Sequence, residues 1–408
     1  MEILKIFIHI FEIAVFAFLT FATAYIFIFG FAGLFKYKQK PVKNSKLRKF
    51  AVLIPGYKED SVIVEVARDA LNQNYPKEYY DVIVIADSFA ESTLEALRKL
   101  PITVNVVSFE VSKKSKALNK TMEVIGDDYD VALILDADNI MQSDVIEKLN
   151  KSFDNGFVAV QGHRLAKNTN TSFAILDAIS EEINNHVFRK GHRVLGLSSA
   201  LIGSGMALEY KLFKDTMKTI DSVGEDKEVE MKLLKQKYVI DYCEDALVFD
   251  EKTQKSDVFV NQRRRWIAAQ LSYFRDYFFS GLNNLIFKGN VDFFDKVLQM
   301  IQPPRIILLG LLSIFVLLSG LTYILKLTFI DSLFYLSPLH WLILLGLTII
   351  TLIFSIPRKF YNKELISAIL ALPKGFFMMF LSLLRIKGAS KKFIHTTHSH
   401  TTDKCEND

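Results

Sequence analysis

The run VALILDAD, residues 131–138, places two carboxylates directly after an apolar stretch of strand length. Such a stretch is typical of a buried strand in a parallel sheet, and ligands of these sheets bind beyond the carboxyl ends of the strands. In an extended conformation, Asp136 and Asp138 point to the same side. The pair suits Mg or Mn, which bind one or two carboxylates together with substrate phosphates. A solvated turn is the alternative interpretation, since Asp is common in turns.

Three earlier segments of the chain have the same strand-like composition. They are residues 50–55 (FAVLIP), 81–87 (DVIVIAD) and 104–109 (VNVVSF). The segments between them have the apolar spacing of helices, and they are residues 62–72, 92–100 and 115–124. Strands that alternate with helices predict an α/β domain, with a mostly parallel, Rossmann-like sheet covered by helices on both faces.

Two further polar residues lie close to these predicted strand ends. Asp87 ends the run 81–87. It is a candidate to bind a base or a ribose, or to lie near the metal, with a turn aspartate as the alternative. Lys116 belongs to the segment SKALN, residues 115–119, where its point charge is a candidate to meet a phosphate. A solvated helix lysine is the alternative interpretation of Lys116.

An acidic segment follows a glycine at Gly224-Glu225-Asp226. A carboxylate there is a candidate general base, which must reach the proton that it abstracts. The alternative is an ordinary helix N-terminus, where acids interact favourably with the helix dipole, and the nearby Glu228 and Glu230 favour that interpretation.

The segment QRRRW, residues 262–266, combines arginines with a tryptophan. Arginine forms bidentate contacts with phosphate oxygens, and Trp presents a flat face to a sugar ring or a base. A juxtamembrane basic cluster attracted to anionic lipid is the alternative. That alternative accounts for some of the arginines but leaves Gln262 and Trp266 unexplained.

The composition indicates a membrane protein with a water-soluble centre. Half of the 408 residues are hydrophobic, and they concentrate at the two ends of the chain. The net charge of +5 and the absence of a nucleic-acid motif argue against a nucleic-acid partner. The two cysteines, Cys243 and Cys405, lie far apart, which fits a reducing cytosol better than a disulfide framework.

The first apolar run, residues 3–34, contains only Lys5 and Glu12 as charged residues. It is long enough to cross a bilayer and too long for a cleaved signal peptide, which is the competing interpretation. A basic stretch follows it, made of Lys36, Lys38, Lys40, Lys43, Lys46, Arg48 and Lys49. By the positive-inside rule this stretch is cytosolic, so the N-terminus lies outside and the central domain lies in the cytosol. We therefore expect an integral protein of a bacterial-type inner or plasma membrane.

The C-terminal third also has membrane character. Residues 267–295 suit helices on the membrane surface, and residues 306–325 and 339–356 are of membrane-crossing length. Basic residues (Arg358, Lys359, Lys363) then mark a return to the cytosol. Residues 365–384 are apolar but interrupted by Pro373 and Lys374, and the basic residues Arg385, Lys387, Lys391 and Lys392 follow, which favours a surface-lying or re-entrant segment.

The predicted units are an anchor (1–36), a cytosolic catalytic domain (37–266), interfacial helices (267–300), a transmembrane region (301–385) and a cytosolic tail (386–408).

The motifs in this order resemble those of membrane-bound family 2 glycosyltransferases, which include cellulose, hyaluronan and poly-N-acetylglucosamine synthases and ceramide glucosyltransferases. The resemblance rests on Asp87, Asp136-x-Asp138, Glu225-Asp226 and Gln262-x-x-Arg265-Trp266. Residues 54–59 (IPGYKE) look like the first-strand motif of the family, residues 115–119 like its lysine segment and residues 203–206 (GSGM) like its acceptor-side loop. The match runs from about Phe50 to Trp266.

The resemblance implies a GT-A fold and an inverting transfer from a nucleotide-sugar, usually a UDP-sugar, with Mg or Mn as cofactor. Glu59 and Asp87 would bind the nucleoside, and Lys116 would join them at the donor. Asp138 would ligate the metal, with Asp136 near the diphosphate.

On the acceptor side, the resemblance implies that Asp226 deprotonates the acceptor hydroxyl. Gln262, Arg265 and Trp266 would hold the diphosphate and the acceptor sugar at the membrane face. The implied acceptor is a growing polysaccharide, and export would require partner proteins.

Some features depart from the family pattern. Gly56 follows the first proline, and Lys58 stands where these enzymes commonly carry Asn. No cyclic-dinucleotide-binding domain follows, and the C-terminal membrane region is short for a translocation channel. These departures argue against processive synthesis and export more than they argue against catalysis.

Three other functions remain to be weighed. An enzyme that adds one sugar to a lipid acceptor would keep every motif, whereas a non-catalytic scaffold would be expected to have lost some. A transporter is disfavoured because the predicted spans carry almost no ionisable residues.

His395, His398 and His400 in the Thr-rich tail are expected to be disordered, with a metal site as the alternative.

Overall fold

A computed structural model describes residues 2–37, 39, 45–220, 224–252, 256–325 and 334–383, with only the backbone at residues 256–261 and 364. Several sequence predictions lie outside these residues. They concern the tail 386–408 with its three histidines, and the basic residues Lys38, Lys40, Lys43, Arg385, Lys387, Lys391 and Lys392.

The described residues form one eight-stranded mixed sheet, with strands in the order β3-β2-β1-β4-β7-β6-β8-β5. The strands are β1 (Phe50–Tyr57), β2 (Tyr80–Asp87), β3 (Thr103–Val107), β4 (Val131–Ile134), β5 (Ile140–Met141), β6 (Ala159–Ala166), β7 (Met206–Glu209) and β8 (Ile240–Asp250). The four strands expected from the sequence are confirmed, and they pair in parallel as β3-β2-β1-β4. The second half of the sheet differs, because β7 runs antiparallel to both β4 and β6.

Helices cover both faces of the sheet. The first nine are α1 (Glu2–Gly33), α2 (Ile63–Ala70), α3 (Glu91–Arg98), α4 (Lys114–Val124), α5 (Val145–Asp154), α6 (Ser172–Asn184), α7 (His192–Val194), α8 (Tyr210–Met217) and α9 (Glu225–Lys235). They are followed by α10 (Ser256–Lys288), α11 (Val291–Met300), α12 (Arg305–Ile324), α13 (Pro338–Ser355) and α14 (Lys363–Leu383). A π-helix (Asn185–Gly191) joins α6 to α7, and short 3₁₀ turns lie at Lys77–Tyr79 and Arg358–Phe360.

Alternating side chains of the central strands divide between two hydrophobic cores. Val52 and Ile54 of β1 face α2 and α5, whereas Ala51 and Leu53 face α4, α8 and α9. Each fully buried Leu, Ile or Val stabilises the fold by about 1.5–3 kcal/mol. These two cores hold the carboxyl ends of β1, β2 and β4 at one edge of the sheet, where Asp87 and Asp136 lie.

Within the described residues, four helices are long and apolar enough to cross a membrane: α1, α12, α13 and residues 365–383 of α14. Pro373 interrupts the apolar run in the sequence but not the helix, since α14 continues through this residue. The surface-lying or re-entrant placement of this segment stays a prediction. The predicted boundary after Trp266 falls inside α10, which is also continuous. The composition changes at residue 266, but the backbone continues in the same conformation because no helix-breaking residue stands there.

The contact between α1 and the π-helix is unusually close because glycines lie on both sides of it. The Nε2 atom of His186 is 2.8 Å from the carbonyl oxygen of Gly30. A β-carbon on Gly33 would lie 2.7 Å from His186, and one on Gly191 would lie 2.0 Å from the carbonyl oxygen of Phe29. The first helix is therefore fixed to the π-helix that follows α6 by backbone contact.

We predict that Gly191→Ala lowers the free energy of unfolding by about 1–3 kcal/mol or more, because a backbone atom has no room to move away from the new methyl group. Gly320→Ala is the matched control. Its methyl group would meet nothing within 4 Å, so we expect stability to be unchanged or to rise by up to about 1 kcal/mol from helix propensity. Thermal unfolding in detergent measures both, and equal melting temperatures would contradict the close contact.

Candidate active site

A cavity of about 2160 Å³ opens at the carboxyl ends of β1, β2 and β4. Ligand sites in proteins usually occupy about 300–1,000 Å³, so the cavity is larger than one small ligand needs. Of the nine candidate residues from the sequence, eight line it, namely Glu59, Asp87, Asp136, Asp138, Asp226, Gln262, Arg265 and Trp266. The fold thus brings together residues that are more than two hundred positions apart.

The β1 and β2 ends form one side of the cavity. Asp87 is 3% exposed, its Oδ1 accepts a hydrogen bond from Ser88 Oγ at 2.9 Å, and its carbonyl oxygen accepts one from the Lys58 N–H at 3.1 Å. Lys58 and Ser88 both have positive φ, at 56° and 62°. Such backbone conformations cost of order 1–3 kcal/mol in residues other than glycine and cluster at functional sites. Here they turn the chain sharply after each strand, so that Glu59 and Asp87 both face the cavity.

Asp136 and Asp138 lie in a turn, so the extended conformation predicted for them is wrong. Strand β4 ends at Ile134, and the Asn139 N–H donates to the Asp136 carbonyl oxygen at 3.0 Å. Both carboxylates still line the cavity. The Oδ2 atom of Asp138 accepts a hydrogen bond from the Glu251 N–H at 3.3 Å, and the Asp136 N–H donates to Ser204 Oγ at 2.9 Å.

Lys114 lines the cavity, together with Lys113, Lys227 and Lys252, whereas the place predicted there for Lys116 is wrong. Lys116 Nζ lies 3.4 Å from the carbonyl oxygen of Val111, away from the residues that line the cavity. Lys114 Nζ contacts Asp136 Oδ1 at 2.5 Å, the Gly203 carbonyl oxygen at 2.7 Å and Glu225 Oε1 at 3.6 Å. Burial alone would lower the pKa of Lys114, but Asp136 and Glu225 raise it above its usual value. Lys114 is therefore a fixed cation.

Glu225 and Asp226 begin α9, as the helix-terminus interpretation expected, and they also line the cavity. Burial raises the pKa of Glu225 to about 7, against the opposing effect of Lys114. Burial also raises the pKa of Asp226. Gly224, just before them, accepts a hydrogen bond from Tyr273 Oη of α10 at 3.0 Å.

The QRRRW segment lies on α10, with Gln262, Arg263, Arg265 and Trp266 on the cavity wall. Arg263 pairs with Asp177 of α6, and its guanidinium lies 4.7 Å from the centre of the Trp266 ring. The Nη1 atom of Arg265 is buried and has no hydrogen-bond partner among the described residues. Burial lowers the pKa of Arg265. An anionic ligand would supply the missing partner.

Sequence reasoning missed a network of buried charges next to these residues. Arg164 of β6 contacts Glu181 at 3.0 Å and Asp250 at 3.3 Å. Lys252 contacts Asp250 at 2.7 Å, and Arg189 contacts Glu181 at 3.0 Å. Asp250 ends β8 as Asp87 ends β2, so the criterion that selected Asp87, a polar residue at the end of a strand, could also have selected Asp250.

A divalent cation fits the oxygen ligands of the turn at residues 136–138. Within the described part of the chain, no group of three or more His, Cys, Asp or Glu side chains is arranged to hold a metal by itself. Mg and Mn do not need one where substrate phosphates complete the shell, and carboxylates that face a cavity are the ligands they prefer. The turn therefore suits a metal that arrives with a phosphorylated ligand.

Comparison with known proteins identifies relatives of this chain. A family model described as "Glycosyltransferase like family 2" matches residues 48–269. A beta-monoglucosyldiacylglycerol synthase of Trichormus variabilis is 23% identical over 257 residues, 59% of this chain and 53% of that protein. The probable glycosyltransferase YdaM of Bacillus subtilis is 24% identical over 236 residues, 54% of this chain and 55% of that protein. The chain thus spans about half the length of the curated relatives it matches.

One solved structure resembles nearly the whole chain. The mannosyltransferase PcManGT of Pyrobaculum calidifontis, solved in complex with GDP-Man and Mn²⁺, aligns with a TM-score of 0.55 and 14% identity. The alignment covers 93% of this chain and 99% of that one. At this identity the likeness concerns the fold alone. It confirms the GT-A-type, Rossmann-like mixed sheet with flanking helices.

The raised pKa of Glu225 predicts that stability falls as pH rises. Between pH 4.5 and about 7 the folded chain keeps a proton on Glu225 that the unfolded chain has lost, so this contribution to stability disappears as pH rises through about 7. We expect the melting temperature of Glu225→Gln to fall less over this interval than that of the wild type. Thermal unfolding at a series of pH values in detergent measures the slopes, and parallel slopes would contradict the buried, protonated state.

Proposed function

The chain belongs to glycosyltransferase like family 2, whose model covers more than half of it, and on that premise we propose that it transfers a sugar from a nucleotide-sugar to an acceptor at the membrane surface. The observation that carries the proposal is the convergence of Asp87, the turn 136–138, Glu225-Asp226 and Gln262-x-x-Arg265-Trp266 in one cavity. A scaffold protein would have no need to keep these residues around one space.

The β1 and β2 side of the cavity binds the donor nucleotide. Asp87 and Glu59 accept hydrogen bonds from the nucleoside, which we expect to be uridine, the usual nucleoside of the enzymes this chain resembles. Lys114 takes the role that the sequence had assigned to Lys116. Its ammonium contacts the Asp136 carboxylate and lies beside the diphosphate. Arg265, with its buried and unpartnered Nη1 atom, and Gln262 contact the diphosphate from α10.

Asp138, with Asp136 beside it, would hold Mg or Mn. The metal, when bound, neutralises charge on the diphosphate and so makes it a better leaving group. Oxygen ligands at both residues and their place on the cavity wall support this role.

Asp226 acts as the general base of an inverting transfer. The acceptor oxygen attacks the anomeric carbon as its bond to the diphosphate oxygen breaks, and the electron pair leaves with the nucleoside diphosphate. Asp226 takes the hydroxyl proton, and the single displacement inverts the anomeric centre. Burial raises the pKa of this carboxyl, which makes it a stronger base than an exposed Asp.

The membrane placement follows from the four apolar helices and their basic flanks. Arg48 and Lys49 follow α1, and Arg358 and Lys359 follow α13. Positive residues stay on the cytoplasmic side, so we propose an integral protein of an inner or plasma membrane with a cytosolic catalytic domain. The 267–300 region, which contains most of α10 and all of α11, lies at the membrane surface.

A lipid acceptor is favoured over a growing polysaccharide. The cavity continues from the donor side between α12, α13 and α14, where its wall is apolar and, beyond Arg305, carries no charged side chain among the described residues. A polysaccharide path needs side chains that hydrogen-bond hydroxyl groups, whereas an apolar wall suits a hydrocarbon chain. Product size separates the two, since a lipid acceptor gives a single glycolipid and a synthase gives a ladder.

We predict that Asp226→Asn lowers the rate of transfer to a hydroxyl acceptor by about 10²-fold or more, because the hydroxyl loses its base, while the dissociation constant of the donor changes little. Nucleotide release from a panel of UDP- and GDP-sugars, with Mg or Mn and a lipid extract, measures the rate. Asp215→Asn, an exposed residue of α8, is the control. Loss of donor binding together with the rate would mean that Asp226 positions the donor.

Asp138→Ala should weaken donor binding in the presence of metal, because a diphosphate held through a metal loses its protein anchor. Isothermal titration with UDP, with and without Mn, compares the two conditions. An unchanged dependence on metal would exclude Asp138 as a ligand.

The neighbouring lysines of α4 give a matched pair. We expect Lys114→Ala to raise the donor KM by about tenfold or more, because it leaves Asp136 and Glu225 without their shared cation and next to the diphosphate. Lys116→Ala should leave the kinetics as in wild type, since its ammonium lies outside the cavity. Equal effects of the two substitutions would contradict the assignment.

A further inference from the structure

The cavity changes character at Arg305, the first residue of α12. On one side lie the charged side chains of the donor site and the Arg164 network. On the other side the wall is made by residues such as Leu309 and Leu317 of α12, Ile349 of α13, and Ile369 and Phe376 of α14. The stretch from Arg305 to Leu317 measures about 18 Å along the helix at roughly 1.5 Å per residue. Arg305 is the last charged group before this apolar groove.

Arg305 is held in place by neutral groups. Its Nη1 donates to Asn184 Oδ1 at 2.8 Å, and its Nη2 donates to Ser180 Oγ at 2.8 Å and to the Ser180 carbonyl oxygen at 2.9 Å. These contacts fix the guanidinium in one orientation against α6. They supply no negative charge.

The nearby carboxylates already pair with other cations. Glu181 is shared by Arg164 and Arg189, and Asp177 pairs with Arg263. Of the residues that the structure describes, no carboxylate lies within ion-pair distance of Arg305. Its charged neighbours are Glu181, which other cations already share, and the two cations Arg189 and Arg263. A guanidinium at this junction is costly unless an anion joins it.

Unpartnered polar atoms accompany Arg305 on the cavity wall. Gln302, just before α12, has both side-chain amide atoms buried without a hydrogen-bond partner in the described part of the chain, and Gln299 has its Oε1 in the same state. Both residues line the cavity. Buried polar groups are nearly always hydrogen-bonded in native proteins, so these atoms indicate a polar ligand group at the mouth of the groove.

We infer that the acceptor is a lipid that carries a phosphate group, with its phosphate on Arg305 and Gln302 and its hydrocarbon chain in the groove between α12, α13 and α14. The inference rests on the proposed function and names the acceptor class of the same site. It distinguishes this acceptor from a neutral lipid such as diacylglycerol. Arginine suits the task because its fixed fork binds phosphate oxygens in pairs.

The phosphate group belongs to one of two kinds of lipid, and each gives a balanced reaction. In a polyprenyl phosphate, a phosphate oxygen attacks the anomeric carbon, the nucleoside diphosphate leaves with the electron pair, and no proton needs to be removed from a dianion. In a phospholipid such as phosphatidylglycerol, a headgroup hydroxyl attacks, and its proton goes to Asp226. Asp226→Asn therefore slows transfer to the phospholipid more than transfer to the polyprenyl phosphate.

The test compares each phosphate-bearing lipid with an uncharged counterpart that has the same hydrocarbon chains. The full chain in detergent is given a polyprenyl phosphate or the polyprenol of the same length, and phosphatidylglycerol or diacylglycerol. Transfer and equilibrium binding of each lipid are both measured, for wild type, Arg305→Gln, Arg305→Lys and the exposed control Arg358→Gln. Melting temperatures without lipid verify that each variant is folded.

We expect transfer to one phosphate-bearing lipid and not to its uncharged counterpart. Arg305→Gln should raise the KM for that lipid by about tenfold or more, through the loss of charge-assisted hydrogen bonds, with donor KM within about twofold of wild type. Arg305→Lys should keep a preference for the phosphorylated lipid, and Arg358→Gln should match wild type.

Equal use of polyprenol or diacylglycerol would overturn the inference and leave the proposed function standing. A KM for the phosphate-bearing lipid that is unchanged in Arg305→Gln would also overturn the inference and leave the proposed function standing. If no lipid is glycosylated, the binding measurements decide: binding that requires both the phosphate and Arg305 supports the phosphate site while refuting the transferase, and equal binding of both lipids refutes the site.

Discussion

The ammonium of Lys114 joins three segments that are distant in the sequence. It contacts Asp136 in the turn after β4, the Gly203 carbonyl oxygen before β7 and Glu225 at the start of α9. Removing one member of a buried charge set leaves the others uncompensated, so the three segments depend on this cation for their relative positions. The side of the cavity proposed to bind the donor and the side proposed to supply the base share this cation.

Local sequence patterns predicted the β1-to-β4 half of the sheet and most of the candidate site, since strand composition and the polar residues after strand ends are local properties. The choice between Lys114 and Lys116 depended instead on the rotation of α4. Lys114 stands four residues before the buried Leu118, on the same helix face, whereas Lys116 points elsewhere. That signal was present in the sequence. The pairing of Arg164 with Asp250 could not be predicted from the sequence, because it arises only when β6 and β8 lie side by side.

The charges of the site are ordered along the cavity. Carboxylates dominate where the nucleotide and metal would bind, paired cations and carboxylates fill the middle, and Arg305 ends the series where the apolar wall begins. Such an order separates a water-soluble donor from a lipid in a single space. The proposed lipid acceptor would also account for a cavity larger than a nucleotide-sugar requires, because the apolar end of that space would hold its hydrocarbon chain.

The unbroken course of α10 has a mechanical consequence. Its 33 residues form one rod of about 50 Å that carries Arg265 near one end, and its Tyr273 donates a hydrogen bond to the Gly224 carbonyl oxygen, two residues before the proposed base Asp226. A rigid rod lying against a bilayer tilts with it. Changes in lipid thickness or lateral pressure would therefore move the arginine and the carboxylate together, so the enzyme would sense the physical state of its membrane through the angle of one helix.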